Sequence, residues 1–210
     1  MRLTKYEHAC FSVEIDDVIL VVDPGNFTSD FVVTDNIIAI VITHEHADHF
    51  DPDLLAAIYD KNPESVLISL PSIIEKMPDH KSQAVIIGQT LNIGPFNLEF
   101  FGGEHAAIHP DIPVVDNVGV MINDCLYYPG DSFSIPTKPV KTLALPISAP
   151  WMKTSEMIDF LRTVRPVRAF PTHDAILSVS GMLLADTLAR RFADPIGVEY
   201  KRIDGTTIDV

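Results

Sequence analysis

The sequence is poor in several features that mark particular classes of protein. Its 210 residues include only two cysteines, Cys10 and Cys125, which form neither a disulfide framework nor a cysteine-rich metal motif. No run of about 18 apolar residues occurs, which argues against a membrane-spanning helix. The first residues contain no apolar segment with a following cleavage site, so a secretory signal is not expected. These absences predict a cytoplasmic protein with reduced cysteines and no membrane partner.

Positive charge is also scarce. Lys and Arg number 15 against 29 Asp and Glu, which gives a formal net charge of −14 at pH 7. No cluster of Lys and Arg stands out, and a surface of this sign repels polyanions. Nucleic acid is therefore not expected as a partner, and the sequence favours a small-molecule substrate. It leaves the oligomeric state open.

The hydrophobic content predicts one domain that spans residues 1–210, because 47% apolar residues are enough for a substantial core and Pro and Gly are not pooled into a linker. Short apolar runs predict strands, among them residues 37–42 and 84–87, and the tail segment 198–203 is also expected to be extended. The pairs Asp16-Asp17 and Asn123-Asp124 are typical of two-residue hairpin turns. Helices intrude between the strands, which indicates two sheets with helices on their outer faces.

Two helix starts are predicted from capping residues. Asp51-Pro52-Asp53 offers a cap, a proline at the first helical position and an early acidic residue. Thr154 is a candidate cap for a helix that runs to about Val164. Both helices follow segments in which the sequence also holds candidate functional residues.

The strongest functional signal is the segment that follows the predicted strand 37–42. Three imidazoles and a carboxylate occupy six positions there, and these are the ligand types that zinc-like cations prefer. His44 and His46, two residues apart at a strand end, can chelate one ion. Asp48 and His49, beyond the turn, can reach a second ion. A solvated polar loop that happens to hold three histidines is the weaker interpretation.

Three further candidate ligands lie at other strand ends. His105, Asp131 and His173 each follow shortly after a predicted strand, as the first cluster does. In layered α/β folds, ligands gather at the edge where such strands end. His109 is a rival to His105, which we prefer because it lies closer to its strand. Independent strand ends thus supply matching ligand types to one place.

The order of these residues resembles the metallo-β-lactamase superfamily. The segment His44-Glu45-His46-Ala47-Asp48-His49 is similar to the H-x-H-x-D-H signature of that family. The resemblance implies a four-layer αβ/βα sandwich with two metals at one edge. It also implies roles for the candidate residues. One metal would be held by His44, His46 and His105, and the other by Asp48, His49 and His173. Asp131 would bridge the two metals, and Asp23 would be an outer carboxylate that orients ligands.

A looser resemblance concerns the start of the chain. His8-Ala9-Cys10-Phe11 is similar to the compact hydrolases related to L-ascorbate-6-phosphate lactonase. His8 is expected to pack or hydrogen-bond near the site rather than to bind metal. The region around His105 lacks the Gly-His-Ser/Thr-x-Gly motif of many members, which weakens a glyoxalase or true β-lactamase interpretation.

The resemblance implies a hydrolase with two divalent ions, zinc as the first expectation and manganese as the alternative. A metal-bridging hydroxide would attack a small ester, lactone or phosphodiester. Asp48 and Asp131 are the candidate catalytic carboxylates, and Asp48 would orient the nucleophile and take its proton. Two alternatives stay open on the same fold: a diiron redox protein, which typically has Glu where His46 stands, and a non-catalytic binding module.

Trp151 and Lys153 are the candidate substrate contacts. They follow the predicted strand 142–145 and are expected at the same edge as the metals. Trp151 would form a wall of the pocket, and Lys153 would contact a carboxylate or phosphate of the substrate. A packing Trp beside a solvated Lys is an equally strong interpretation.

Overall fold

Two sheets of seven strands each make up the framework of the chain in the computed structural model, which describes all residues 1–210. The first sheet contains β1 (Arg2–Lys5), β2 (Phe11–Ile15), β3 (Val18–Val22), β4 (Ile37–Val41), β5 (Val66–Ser69), β6 (Ser82–Ala84) and β14 (Thr207–Asp209). The second contains β7 (Thr90–Ile93), β8 (Phe96–Glu104), β9 (Asp116–Ile122), β10 (Leu126–Tyr128), β11 (Thr142–Pro146), β12 (Arg168–Thr172) and β13 (Glu199–Tyr200).

Four α-helices cover the outer faces of the sheets. They are α1 (Pro52–Lys61), α2 (Pro71–Ile74), α3 (Thr154–Val164) and α4 (Val179–Ala193), and a short 3-10 turn follows over Asp194–Ile196. No helix combines the length and the apolar content that a bilayer crossing requires. The cap predicted for α1 is confirmed, because the Asp51 side chain accepts from the backbone N–H of Asp53 at 3.0 Å.

Three clusters of buried apolar side chains separate the layers. The largest, of 22 residues, lies between the sheets and includes Phe11 and Phe170. A second cluster packs α3 and α4 on the second sheet, and a third packs α1 and α2 on the first. The order of layers is therefore helix, sheet, sheet, helix, which is the four-layer αβ/βα sandwich that the resemblance implies.

Each sheet combines hairpins with a parallel half. In the first sheet β3, β4, β5 and β6 are parallel neighbours, and in the second β10, β11, β12 and β13 are. The predicted hairpins β2–β3 and β9–β10 are confirmed, and their turn residues have positive φ as type I′ turns require. The parallel strands bring their carboxyl ends to one edge of the sandwich, where the candidate ligands follow.

Some predicted boundaries are wrong. The strand predicted over 84–87 ends at Ala84, because the chain then leaves the first sheet and turns at Gly88, whose N–H donates to Phe100 of the second sheet. Thr154 is the first residue of α3 and not its cap: the cap position is Lys153, whose N–H donates to the Glu156 carboxylate at 2.7 Å. In the segment 198–203, which is predicted to be extended, the strand covers only Glu199–Tyr200.

Candidate metal centre

All seven predicted ligands meet at the edge where the parallel strands end. They fall into two groups, and the ligand atoms within each group lie within 4.8 Å of one another. The first group consists of His44, His46, His105 and Asp131. The second group consists of Asp48, His49 and His173, together with His8. This division matches the two metal sites that the resemblance implies, while the binding of metal by these residues stays a prediction.

Asp131 stands between the two groups. Its Oδ2 atom lies 3.3 Å from Nε2 of His105 in the first group and 3.0 Å from Nε2 of His173 in the second. Its Oδ1 atom lies 3.2 Å from Nε2 of His49. The carboxylate is almost fully buried, and its backbone N–H donates to the Asn117 side chain at 3.0 Å. One carboxylate therefore faces ligands of both groups, as a bridging group must.

Asp23 orients imidazoles from behind. It follows β3, and its Oδ2 atom accepts from Nδ1–H of His49 at 2.7 Å and from the Thr43 hydroxyl at 2.6 Å. The Thr43 oxygen in turn lies 3.1 Å from Nδ1 of His44 and accepts its proton. These bonds place a proton on Nδ1 of both rings, so that Nε2 is the nitrogen of each ring that faces the other candidate ligands. The predicted outer position of Asp23 agrees with this geometry.

Backbone carbonyls hold two other imidazoles in the same way. Nδ1–H of His105 donates to the carbonyl of Ala106 at 2.6 Å, and Nδ1–H of His173 donates to the carbonyl of Ser148 at 2.6 Å. Nε2 of each ring then faces the interior of the site. His46 differs, because its only hydrogen-bond contact is between its Nδ1 and Nε2 of His44, at 3.2 Å.

His8 fixes the orientation of Asp48. The backbone N–H of Ala175 donates to Nδ1 of His8 at 3.3 Å, so the proton of this ring is on Nε2. Nε2 donates it to Oδ2 of Asp48 at 3.0 Å. The expectation that His8 hydrogen-bonds near the site agrees with this contact, and Asp48 keeps its other carboxylate oxygen free.

The buried polar atoms without partners are concentrated here. Nine buried side-chain N and O atoms have no hydrogen-bond partner, and four of them belong to this site. They are Nε2 of His49, Nε2 of His105, Nε2 of His173 and Oδ1 of Asp131. Each of these nitrogens lies within 3.3 Å of an oxygen of Asp131 without a hydrogen bond of acceptable geometry. Buried polar atoms are normally satisfied, and a cation shared by these nitrogens and the carboxylate would satisfy them, so the residues fit a metal site.

The electrostatics of the site favour a cation. Burial opposes charge on His173, but the adjacent Asp131 carboxylate raises its pKa to about 9. Burial also opposes charge on His49, and Asp131 again outweighs it and raises the pKa of His49 well above the usual range. Burial favours the neutral acid at Asp48, yet the adjacent His173 and the hydrogen bond from His8 hold its pKa far below its usual range. The local potential is thus strongly negative and attracts positive charge.

Three site residues adopt a backbone conformation that L-amino acids rarely take. His8, Asp23 and His173 have φ values of 56°, 46° and 61°. Such residues cost of order 1 kcal/mol each and cluster at functional sites. The N–H of His173 donates to the carbonyl of His8 at 3.0 Å, so two of these strained residues support each other.

Close packing of backbone also shapes the metal loop. A Cβ atom on Gly25 would lie 1.9 Å from the carbonyl oxygen of Asp48, so only glycine fits there. No pattern in the sequence marks Gly25 for this contact. Thr43 and Asn117 were also not predicted as functional residues, because their roles depend on side chains from other strands. A polar residue that precedes the first ligand, as Thr43 does, is the one local signal that pointed to it.

The structure separates the remaining candidates. Trp151 is buried, and its indole N–H donates to Oδ2 of Asp131 at 2.8 Å, so it belongs to the site. Lys153 is exposed at the start of α3 and does not line the cavity beside the centre. His109 lies in an exposed loop, where its Nδ1 accepts from the N–H of Asp111. His105, and not His109, is therefore the histidine that this loop brings to the cluster.

A cavity of about 540 Å³ opens beside the second group. Asp48 and His173 line it, together with residues from four loops. The other lining residues are Asn26, Phe27, Ala47, Ser148, Ala149, Pro150 and Ile176. A small molecule in this cavity contacts Asp48 and His173 of the second group.

Known proteins share the sequence pattern of this chain. Residues 2–173 match the beta-lactamase superfamily domain. Protein Rv0786c of Mycobacterium tuberculosis is 38% identical over 183 residues, which cover 85% of this chain and 86% of that protein. The match to the superfamily domain includes every candidate ligand, because it extends from β1 to His173.

Solved structures share the fold. Igni18, a metallo hydrolase from the archaeon Ignicoccus hospitalis, has a TM-score of 0.75 at 18% identity and covers 100% of this chain and 98% of its own. CmlA, a diiron β-hydroxylase from Streptomyces venezuelae, has a TM-score of 0.72 at 15% identity and covers 100% of this chain and 54% of its own. At these identities the likeness concerns the fold alone.

Proposed function

The chain belongs to the metallo-β-lactamase superfamily of metal-dependent hydrolases, and we propose that it is a binuclear hydrolase of a small ester, lactone or phosphodiester. One observation carries the proposal. Nε2 atoms of His49, His105 and His173 converge on the buried carboxylate of Asp131 without hydrogen bonds of acceptable geometry. Two cations, one on each group of ligands, would satisfy all of these atoms.

The proposed ligands are those of the two groups. One ion would be held by His44, His46 and His105, the other by Asp48, His49 and His173, with Asp131 shared. Zinc is the first expectation because five of the seven ligands are imidazoles, and manganese accepts the same set. Bound there, two divalent ions would lower the pKa of a water molecule to about 7 and polarise a substrate oxygen.

The residues of the chain supply the remaining functions. The lowered pKa of Asp48 keeps its carboxylate ionised, and the residue lines the cavity. There it would orient the attacking water by accepting a hydrogen bond from it. Trp151 fixes the plane of the Asp131 carboxylate through its N–H. Burial raises the pKa of the Cys10 thiol, so this cysteine is a poor nucleophile and no covalent step is required.

Metal analysis of the purified protein tests the proposal. After supplementation and dialysis we expect two ions per chain, with hydrolysis of at least one ester, lactone or phosphodiester that stops when a chelator removes them. His105→Ala should lose metal, whereas His109→Ala, four positions away in the same loop, should retain both ions. A supplemented protein that binds well below one ion would contradict the proposal.

The identity of the metal separates the alternatives. Zinc or manganese supports the hydrolase, iron with redox activity supports the diiron alternative, and a protein without metal supports a binding module. A cytoplasmic location also belongs to the proposal. It is supported by Cys10 and Cys125, which are both unpaired.

A further inference from the structure

We infer that the substrate of this site is a neutral carboxylic ester, thioester or lactone with an uncharged apolar group, in preference to a phosphodiester or any substrate with an anionic group. The inference rests on the proposed hydrolase function and narrows its substrate class. It follows from the lining of the cavity that opens on Asp48 and His173.

The walls of the cavity are apolar. Phe27 and Ile176 are 43% and 50% exposed, so both present apolar surface to a molecule in the cavity. Ala47, Ala149 and Pro150 add further apolar surface, and Asn26 and Ser148 are the neutral polar contributions. An apolar acyl or alcohol group that lies against Phe27 and Ile176 gains about 25 cal/mol for each Å² of apolar surface removed from water.

No Lys or Arg lines the cavity. Lys153, three residues beyond Pro150, is exposed at the start of α3 and is not part of the lining. Two other cations near the loops of the site are paired: Lys76 with Glu45, and Arg202 with Asp174, Asp186 and Asp204. Proteins that select a phosphate or carboxylate group usually present Arg or Lys to it. Outside the proposed metal centre, the cavity offers an anionic group no such partner.

The charge of the whole molecule acts in the same direction. A formal net charge of −14 repels an approaching anion and leaves a neutral molecule unaffected. The reaction itself requires only water. The water oxygen bonds to the carbonyl carbon, the acyl C–O or C–S bond breaks, and a water proton ends on the leaving oxygen or sulfur.

A matched pair of esters tests the inference. 4-Nitrophenyl butyrate and mono-4-nitrophenyl succinate share a leaving group and a four-carbon acyl chain, and differ in a terminal methyl or carboxylate. For the metal-loaded protein we expect kcat/KM for the butyrate to exceed that for the succinate at least tenfold. Bis(4-nitrophenyl) phosphate should be a poorer substrate than the butyrate. Equal or faster hydrolysis of either anion overturns the inference and leaves the hydrolase function intact.

A cation introduced into the wall of the cavity provides a second test. Ile176→Lys places a cation in the cavity and should lower the butyrate-to-succinate ratio about tenfold. Val167→Lys is the matched control, because Val167 is also exposed and precedes β12, at the end of the strand away from the centre. The control should leave the ratio unchanged. A ratio that both variants change equally indicates a long-range charge effect and contradicts selection by the cavity.

Binding provides a readout independent of hydrolysis. Butyranilide and N-phenylsuccinamate are amide analogues of the same pair, and titration calorimetry on the metal-loaded protein measures their affinities. We expect butyranilide to bind at least tenfold more tightly. If butyranilide binds but neither ester is hydrolysed, the hydrolase function fails while the selectivity of the cavity stands. If N-phenylsuccinamate binds as tightly, the inference is overturned.

Discussion

The two groups of candidate ligands differ in how firmly their side chains are held. In the second group each predicted ligand has a hydrogen-bond partner that is not itself a predicted ligand: His49 donates to Asp23, His173 to the Ser148 carbonyl, and Asp48 accepts from His8. In the first group His46 is half-buried, and its only hydrogen-bond contact is with another candidate ligand, His44. The first group therefore contains the one imidazole whose orientation depends on the metal.

The preorganisation of the centre comes from the hydrogen-bond partners behind each ligand. A ligand that is held by a carboxylate or carbonyl behind it loses little entropy when it binds an ion. The second group and Asp131 are arranged before any ion binds, whereas His46 must be ordered by it. We expect the effect of substitution to be largest at Asp131, which both groups share, and smallest at Trp151, which only donates a hydrogen bond to Asp131.

Asp131→Ala should have the largest effect. It removes the negative charge at the place where two cations repel each other most, so both ions should bind less tightly. Hydrolysis should fall by orders of magnitude because the proposed chemistry needs both. Bound metal and activity are measured beside the parent protein, with circular dichroism as the control for folding. A folded variant with two ions and full activity would show that Asp131 does not bridge the groups.

Asp23→Asn should have the next largest effect. An amide nitrogen donates where the carboxylate accepted from His49, so the proton of that ring must move to Nε2, the atom that faces Asp131. Metal affinity should fall about 10–100-fold, as is typical for loss of an orienting carboxylate. Competition with a chelator measures it. Asp35→Asn, which changes an exposed carboxylate, should bind metal as the parent does.

His46→Ala and His173→Ala compare the groups directly. Each should reduce bound metal from two ions to about one, because each belongs to a single group. His173 is buried and supported by several contacts, so its loss should lower the free energy of unfolding of the metal-free protein by about 1 kcal/mol. Loss of the half-buried His46 should cost less than about 0.5 kcal/mol. Equal losses in the free energy of unfolding of the two variants, measured by urea denaturation, would contradict the proposed difference between the groups.

Trp151→Phe should have the smallest effect. Phenylalanine keeps the aromatic packing on Phe133 but lacks the N–H that donates to Asp131. A hydrogen bond to a charged group contributes about 1.5 kcal/mol, so metal affinity should fall about tenfold. Phe133→Leu disturbs the packing and keeps the donor, and its metal affinity should stay close to that of the parent. If Phe133→Leu lowers metal affinity more than Trp151→Phe does, Trp151 contributes by packing and not through its N–H.

The candidate ligands could be predicted from the sequence because their signal is local and chemical. Four of them lie within six residues of one another, directly after a strand whose apolar run is continuous. The hairpins were predicted for a similar reason, since Asp-Asp and Asn-Asp pairs tolerate the positive φ of a tight turn. The strand predicted over 84–87 was wrong because an apolar run does not reveal where a chain crosses from one sheet to the other.

The sequence by itself therefore determined the layered fold and the set of imidazoles and carboxylates, because periodicity and ligand type are properties of short segments. Only the tertiary structure decided that His105 and not His109 reaches the site, that Trp151 donates to Asp131, and that Lys153 does not line the cavity. It also decided which ring nitrogens face inward. These facts depend on contacts between residues far apart in the chain, and no local pattern encodes the direction in which a side chain meets a distant partner.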